Sequence, residues 1–285
     1  MCSNTGDPKL LFHSLDELLR RVSFVRSAGF SRVVVTGGEP TIHPGFWSIV
    51  EQLAAFAIEW DINTHGRSFA VPGFAERAVS LGLKRAIVSL HSHDAATSAA
   101  IFGTSEQNHS LSVQGIRRLL DAGVMMMANC VINQLNLDQL ETYTQKSWEL
   151  FGDRIALKFV FPSTLGKGGR WPAIAGLRYA DVRAPIRRVH ALADELGLRV
   201  FFESIPHCIV GCREGVNLGR SAFGETHYLE DDGGDRIYAM RAIEADLFVF
   251  AEVCRSCPVS RRCSGVAQTY AARHGVEELE PFSID

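Results

Sequence analysis

No run of about 20 apolar residues occurs in the chain, so a membrane-spanning helix is not expected. An excess of positive charge is lacking as well. Over 285 residues, 29 Lys and Arg stand against 32 Asp and Glu, a formal net charge of −3. That balance gives no electrostatic footprint for gripping a nucleic-acid backbone. The opening residues Met1-Cys2-Ser3-Asn4-Thr5-Gly6-Asp7-Pro8 lack the basic and apolar regions of a secretory signal. No low-complexity segment follows. The expectation is a cytoplasmic protein with neither membrane nor nucleic acid among its partners.

What is present is ordinary globular material, 46% hydrophobic and 21% charged, enough for one to two domains with a sizeable core. The seven cysteines are Cys2, Cys130, Cys208, Cys212, Cys254, Cys257 and Cys263. An odd number in an unexported chain argues against a disulfide framework and for metal ligands or catalytic thiols.

From about residue 14 to 204, short β-rich runs alternate with amphipathic stretches. Strands are expected at 32–36, 59–64, 85–91, 124–132, 155–161 and 198–203. Helices are expected at 15–28, 46–56, 72–81, 111–122, 137–150 and 179–196, several ending at a glycine suited to a left-handed cap. The alternation reads as β/α units around a parallel sheet. Polar clusters recur at the C-terminal ends of the strands, the edge that carries the site in such folds. Because they recur on every strand rather than at one switch point, a barrel or partial barrel is expected. After Pro206 the texture changes to glycine, acidic residues and cysteine, with Asp231–Asp235 as the turn of a hairpin. The chain divides on this reading into 1–204 and a small cysteine-rich domain at 205–285.

In the tail, Cys254-x2-Cys257-x5-Cys263 lies downstream of Cys208-x3-Cys212. Five cysteines supply four ligands for one tetrahedral zinc or one 4Fe–4S cluster, with one to spare, and spacing alone leaves both open. Cys130, inside an apolar strand, reads as a buried small hydrophobe.

The run Val33-Val34-Val35 ends in Thr36-Gly37-Gly38-Glu39-Pro40. Two glycines past a strand let backbone approach a ligand, Glu39 offers a carboxylate and Pro40 fixes the turn. Neither a GxGxxG nor a phosphate-loop pattern is completed. This segment resembles the GGEP segment of radical S-adenosylmethionine (SAM) enzymes, and the resemblance continues in order along the chain. Asn63-Thr64-His65-Gly66 resembles the family's T-N-G turn, Val88-Ser89-Leu90-His91 its V-S-L-D strand end, and Val131-Ile132-Asn133-x-x-Asn136 its V-x-N-x-x-N passage. The tail resembles the SPASM or twitch extension of peptide-modifying members, with Ala267 where that motif's last cysteine would stand.

The resemblance implies a partial (β/α)6 TIM-like barrel with a small cysteine-rich C-terminal domain. It implies SAM held by Gly37, Gly38, Glu39 and Pro40 at its methionine end, with Thr64 nearby and Ser89 and Asn133 toward the nucleoside. It implies 4Fe–4S ligation by Cys2 at the front and by Cys208, Cys212, Cys254, Cys257 and Cys263 in the tail. The family's activity follows: reductive cleavage of SAM to a 5′-deoxyadenosyl radical, which takes hydrogen from a substrate. A one-electron reductant such as flavodoxin or ferredoxin would supply the electron. The substrate is a peptide or a small molecule, the tail favouring a peptide.

Three departures accompany it. Only the third cysteine of the family's C-x3-C-x2-C, Cys2, is present, so the expectation is an N-terminal truncation that also removes the first barrel strand. His65 and His91 replace an asparagine and an aspartate, and Ala95–Phe102 supplies no basic residue before Gly103. Two rival readings stand beside it. His91-x-His93 places two imidazoles on one strand face; with Glu39, His65 and Asp94 they suggest a metal-dependent TIM-barrel hydrolase that activates water. A non-catalytic remnant that binds SAM or a cluster is the other.

Overall fold

The computed structural model describes residues 13–163, 171–211, 217–218, 226–229, 236–239 and 247–282. The fold class is α/β, a mostly parallel sheet whose strands alternate with helices as in a partial TIM-like barrel. The chain separates into two compact units, one of residues 7–130 with 147–156 and one of residues 131–146 with 157–285. The change of texture near residue 205 falls inside the second of these.

In the first unit, helix α1 (Leu15–Ser27) starts where Ser14 Oγ accepts the Glu17 N–H, with Asp16 and Glu17 at its positive end. Strand β1 (Arg32–Val35) then pairs in parallel with β2 (Glu59–Thr64), Val33 opposite Trp60 and Val35 opposite Ile62. Strand β3 (Leu83–Ser89) continues the sheet with Thr64 opposite Val88. Strand β4 (Met125–Val131) follows, with Ser89 opposite Asn129. Helices α2 (Phe46–Ala55), α3 (Phe74–Ser80), α4 (Ala95–Phe102) and α5 (Gln107–Asp121) lie between them in sequence.

Side chains alternate across these strands. One face is buried and carries Trp60, Ile62, Val88, Met126 and Ala128, while Asn63, Ser89 and Asn129 stand on the more open one. Trp60 is fully buried and anchors an aromatic cluster, with Phe46 at 6.0 Å; Phe46 in turn stacks on Phe74 at 5.9 Å, and Phe69 meets Phe74 at 5.1 Å. Its indole N–H finds the Leu81 carbonyl at 2.8 Å, so burying the ring leaves no donor unmet. On the open face Asp61 receives both Arg85 Nε at 2.8 Å and a terminal Arg85 nitrogen at 2.6 Å.

The division between the units falls within helix α6 (Leu140–Phe151) and strand β5 (Ile155–Val160). The second unit continues with α7 (Pro172–Ala175), α8 (Tyr179–Leu196), β6 (Arg199–Glu203) and α9 (His207–Val210). Gly197 closes α8 in the left-handed conformation, as the sequence suggests. Strand β7 (Asn217–Leu218) is parallel to β6. Strands β8 (His227–Leu229) and β9 (Ile237–Ala239) pair antiparallel, which fits the hairpin expected around Asp231–Asp235, a turn outside the described residues. Strands β10 (Phe248–Val249) and β11 (Val266–Ala267) are likewise antiparallel and lead into helix α10 (Gln268–His274).

The start of α8 is completed by residues some 90 positions later. The Tyr179 N–H donates to Tyr270 Oη at 2.9 Å and the Ala180 N–H to Glu278 Oε2 at 2.7 Å. Tyr270 donates its hydroxyl to the same Glu278 carboxylate, and Arg183 holds the Glu278 carbonyl at 2.7 Å. Phe161, Tyr179 and Tyr270 pack around this junction, with the two tyrosine rings 4.3 Å apart.

Candidate active site

The turn after β1 is built around one carboxylate. Gly37 sits at φ +156°, a conformation side chains disfavour, and a Cβ added at Gly37 or Gly38 would meet nothing within 4 Å, so the backbone here is open to an approaching molecule. Pro40 begins a short 3-10 turn, Pro40–Ile42, which Glu39 caps by accepting the Thr41 N–H at 3.2 Å. Glu39 Oε1 also accepts the hydroxyls of Thr41 at 2.5 Å and Thr64 at 2.8 Å. Glu39 Oε2 accepts the His65 N–H at 2.7 Å, with His65 Nδ1 at 3.3 Å.

The Glu39 side chain therefore ties the turn after β1 to the turn after β2. The carboxylate accepts donors from both turns, and the backbone of Gly37 and Gly38 lies open beside it. Thr64 is committed in the same way, buried, with its hydroxyl donating to Glu39 and accepting the Gly66 N–H at 3.0 Å.

The second turn is in turn set against α5. Gly66 takes φ +79°, and a Cβ at Gly115 would lie 2.0 Å from the Gly66 carbonyl oxygen. Ser112, one turn earlier on α5, donates to the His65 carbonyl at 2.7 Å. Nothing in the hydrophobic pattern of α5 marks Gly115, and sequence reading passed over it.

At the ends of β3 and β4, Ser89 and Asn129 are opposite partners on the open face. Asn129 Oδ1 is buried without a hydrogen-bond partner, although the Asn129 backbone carbonyl accepts the Leu90 N–H at 3.1 Å. Sequence reading missed this residue too; its position near the end of β4, four residues before Asn133, was the available signal. Ser89 also lines a small pocket with His65, Arg67, Ser98, Asn108 and His109 among its walls.

His91 departs from the hydrolase expectation. Its ring is buried and stacked on Phe102 at 4.7 Å, and its Nδ1 lies 3.0 Å from the Asn129 carbonyl. Burial holds its pKa down at about 4, against the opposing effect of that hydrogen bond, so it is a neutral packing group at neutral pH. Asp94 caps α4, accepting the Thr97 N–H at 2.7 Å. No three His, Cys, Asp or Glu side chains close on a common single-ion position among the described residues.

In the second unit Asn133 is fully buried, its Nδ2 donating to Val131 O and its Oδ1 accepting the Leu135 N–H at 3.0 Å. Asn136 Oδ1 accepts the Asn133 N–H at 2.8 Å. Asn133 therefore closes the turn after β4. Lys158, on β5, is half-buried and ion-paired with Glu203 of β6 at 2.8 Å. Lys167, Gly168, Gly169 and Arg170 lie outside the described residues, as do Cys2 and Cys212.

Cys208, Cys254, Cys257 and Cys263 line a single small pocket. Cys254 and Cys257 flank the end of a short 3-10 helix, and Gly265 makes the turn after Cys263 at φ +77°, where a Cβ would lie 2.7 Å from the Val249 carbonyl. Backbone N–H groups point at two of the sulfurs, Gly265 at Cys263 and Phe282 at Cys257, each at 3.4 Å. Burial is the leading influence on the thiols of Cys208, Cys254 and Cys263 and raises their pKa values. Cys130 is fully buried, with its thiol directed at the His91 carbonyl.

A family model described as the Radical SAM superfamily matches residues 1–145. A probable GTP 3′,8-cyclase of Saccharolobus solfataricus is 29% identical over 163 residues, 57% of this chain and 51% of the relative. A GTP 3′,8-cyclase of Crocosphaera subtropica is 28% identical over 129 residues, 43% of this chain and 38% of the relative. The chain thus spans about half the length, or less, of these curated relatives. Among solved structures, native anSMEcpe with bound AdoMet aligns with a TM-score of 0.62 at 14% identity, covering 98% of this chain and 88% of that one. Streptococcus suis SuiB bound to precursor peptide SuiA aligns with a TM-score of 0.53 at 15% identity, covering 70% and 44%. At such identities these likenesses show the fold. The family model covers half the chain and includes both latched turns and the ends of β3 and β4: the chain belongs to the radical SAM superfamily.

Proposed function

We propose that this chain binds SAM at the C-terminal ends of β1–β4 and carries an auxiliary 4Fe–4S cluster in its tail, within an enzyme that abstracts hydrogen from a substrate. The observation that carries the SAM reading is the Glu39 latch. It spends a carboxylate on fixing two turns and leaves the Gly37–Gly38 backbone open beside them. Gly37 and Gly38 carbonyls would accept hydrogen bonds from the methionine ammonium, with Pro40 and Thr64 holding the turn in shape. Ser89 and the buried, unpartnered Asn129 Oδ1 would meet ribose hydroxyls, which can donate and accept. Reduced by one electron, a 4Fe–4S cluster with bound SAM supplies a 5′-deoxyadenosyl radical; the protein's task is placement and exclusion of side reactions.

For the tail, the fit rests on the donor set. Four thiols around one cavity, two of them receiving backbone N–H groups, suit an iron–sulfur cluster, whose irons hold their sulfur ligands farther apart than one zinc ion does. Cys212 remains a candidate ligand in this proposal, as does Cys2 for the SAM-binding cluster. A one-electron reductant such as flavodoxin or ferredoxin would serve the reaction.

A peptide substrate is supported by the tail's SPASM-like cysteine spacing and by the peptide in the SuiB structure. A purine nucleotide is the second reading, supported by relatives named GTP 3′,8-cyclase. The test is anaerobic reconstitution with iron and sulfide, then titration with SAM. Micromolar SAM binding and about four irons held by the tail are expected. Zinc without iron, or no SAM binding, overturns the proposal, and 5′-deoxyadenosine formation with peptide or GTP separates the two substrate classes.

A further inference from the structure

The last of the described residues return to the thiols of the tail. Glu278 is fixed from three sides: its carboxylate accepts the Ala180 N–H at 2.7 Å and the Tyr270 hydroxyl, and its carbonyl accepts Arg183 at 2.7 Å. Leu279 is buried, and with Glu280 it lines the pocket of the four cysteines. Pro281 has no N–H, so the donors on either side of it belong to Glu280 and Phe282. The Phe282 N–H is directed at Cys257 Sγ at 3.4 Å. Its ring meets that of His207, the residue before Cys208, edge to face at 6.3 Å. Burial raises the pKa of the Cys208 thiol, and a hydrogen bond from the Glu280 backbone opposes the rise.

One short segment thus aims backbone donors at two thiols from opposite sides of a proline. A neutral thiol is a weak acceptor, whereas a thiolate sulfur bound to iron carries charge and accepts strongly. These donors are weakly met while the thiols are neutral and well met once a cluster is bound. Reduction adds an electron whose charge spreads onto the sulfurs. A donor at a sulfur therefore stabilises the reduced cluster more than the oxidised one and raises its potential.

We propose that residues 278–282 set the reduction potential of the tail cluster, with the Phe282 N–H on the Cys257 sulfur as the leading donor. This rests on the tail-cluster reading above and adds to it positioning residues that lie outside the cysteine spacing. Glu278 acts at one remove: its hold on the first turn of α8 fixes where the two donors stand.

The test is a redox titration of the reconstituted full chain, read by the electron paramagnetic resonance of the reduced cluster. An ester in place of the amide between Pro281 and Phe282 deletes the N–H and keeps the ring. It should lower the equilibrium constant for one-electron reduction by about tenfold, ~59 mV for one electron. Phe282→Pro, which also deletes the N–H, should lower it as well. Phe282→Ala keeps the N–H and admits water, so its potential should not fall below that of wild type. Unchanged hydrogen exchange at the Tyr179 and Ala180 amides shows that Glu278 still caps α8 in each variant. An ester variant with wild-type iron content and wild-type potential overturns the assignment alone, as does a Phe282→Ala potential that falls as far as the ester's. Wild-type protein that takes up no iron in the tail, or only zinc, overturns the tail-cluster reading and the assignment with it.

Discussion

Glu39 and His65, 26 positions apart in sequence, are joined by a 2.7 Å hydrogen bond from the His65 backbone N–H to the Glu39 carboxylate. That contact makes two strand-end turns one object. In Glu39→Gln the amide can keep one oxygen toward the Thr41 and Thr64 hydroxyls, but its NH2 then faces the His65 N–H, donor against donor. A loss of about 1–3 kcal/mol of stability is expected, the cost of an unmet buried hydrogen-bonding group. SAM affinity should fall with it, since the Gly37–Gly38 backbone is no longer held. Urea denaturation and calorimetry check this; unchanged affinity in a destabilised variant would separate the latch from binding.

Gly115→Ala pits helix propensity against sterics. Alanine favours the helix by about 1 kcal/mol. The new Cβ, however, would stand 2.0 Å from the Gly66 carbonyl oxygen, and backbone cannot swing aside as a side-chain tip can. Overpacking of this kind costs about 1–3 kcal/mol, so the steric effect wins. A lower melting temperature is expected, together with weaker binding of ligands that use the Gly66 turn.

His91 gives a pH dependence with a defined sign. Its folded pKa is depressed to about 4 from the usual 6.5 by burial. Between these values the unfolded chain takes up a proton that the folded chain refuses, so stability falls as pH drops. From pH 7.5 to pH 5 the share of His91 is about 2 kcal/mol by linkage. His109, shifted in the same direction, adds to it. His91→Gln should flatten the measured slope by about that amount. An unchanged slope between pH 7.5 and pH 5 would show that His91 is charged or exposed.

The cysteines separate by position. Cys254→Ser and Cys263→Ser remove thiols from the tail pocket and should abolish most of the tail's iron and sulfide after reconstitution. Cys130→Ala, at the end of a packed strand, should leave iron content unchanged and cost about 1 kcal/mol for the lost sulfur. Colorimetric iron and the visible absorption band read the difference directly.

Much of this was legible in the residues. The expected strand 59–64 and helix 179–196 match β2 and α8 end for end, and Gly197 marks the helix's C-terminal boundary. Helix α4 was not foreseen: its eight residues, capped by Asp94, are too short for a periodic pattern and follow directly on the His91-x-His93 segment. The motif residues fall at strand ends, as expected. Whether Glu39 faces a ligand or Thr64 depends on contacts between turns distant in sequence. The hydrogen bonds that Asn133 makes within its own turn likewise became visible only in the fold.

The tail's hold on α8 has a practical consequence for anyone recombining members of this family. Because Tyr270 and Glu278 satisfy the first N–H groups of α8, a boundary drawn where the cysteine-rich texture begins would part a helix from its own cap. A transplanted tail would have to bring α8 with it, or a replacement cap. The exchangeable cassette therefore begins before Tyr179, on the barrel side of the visible seam.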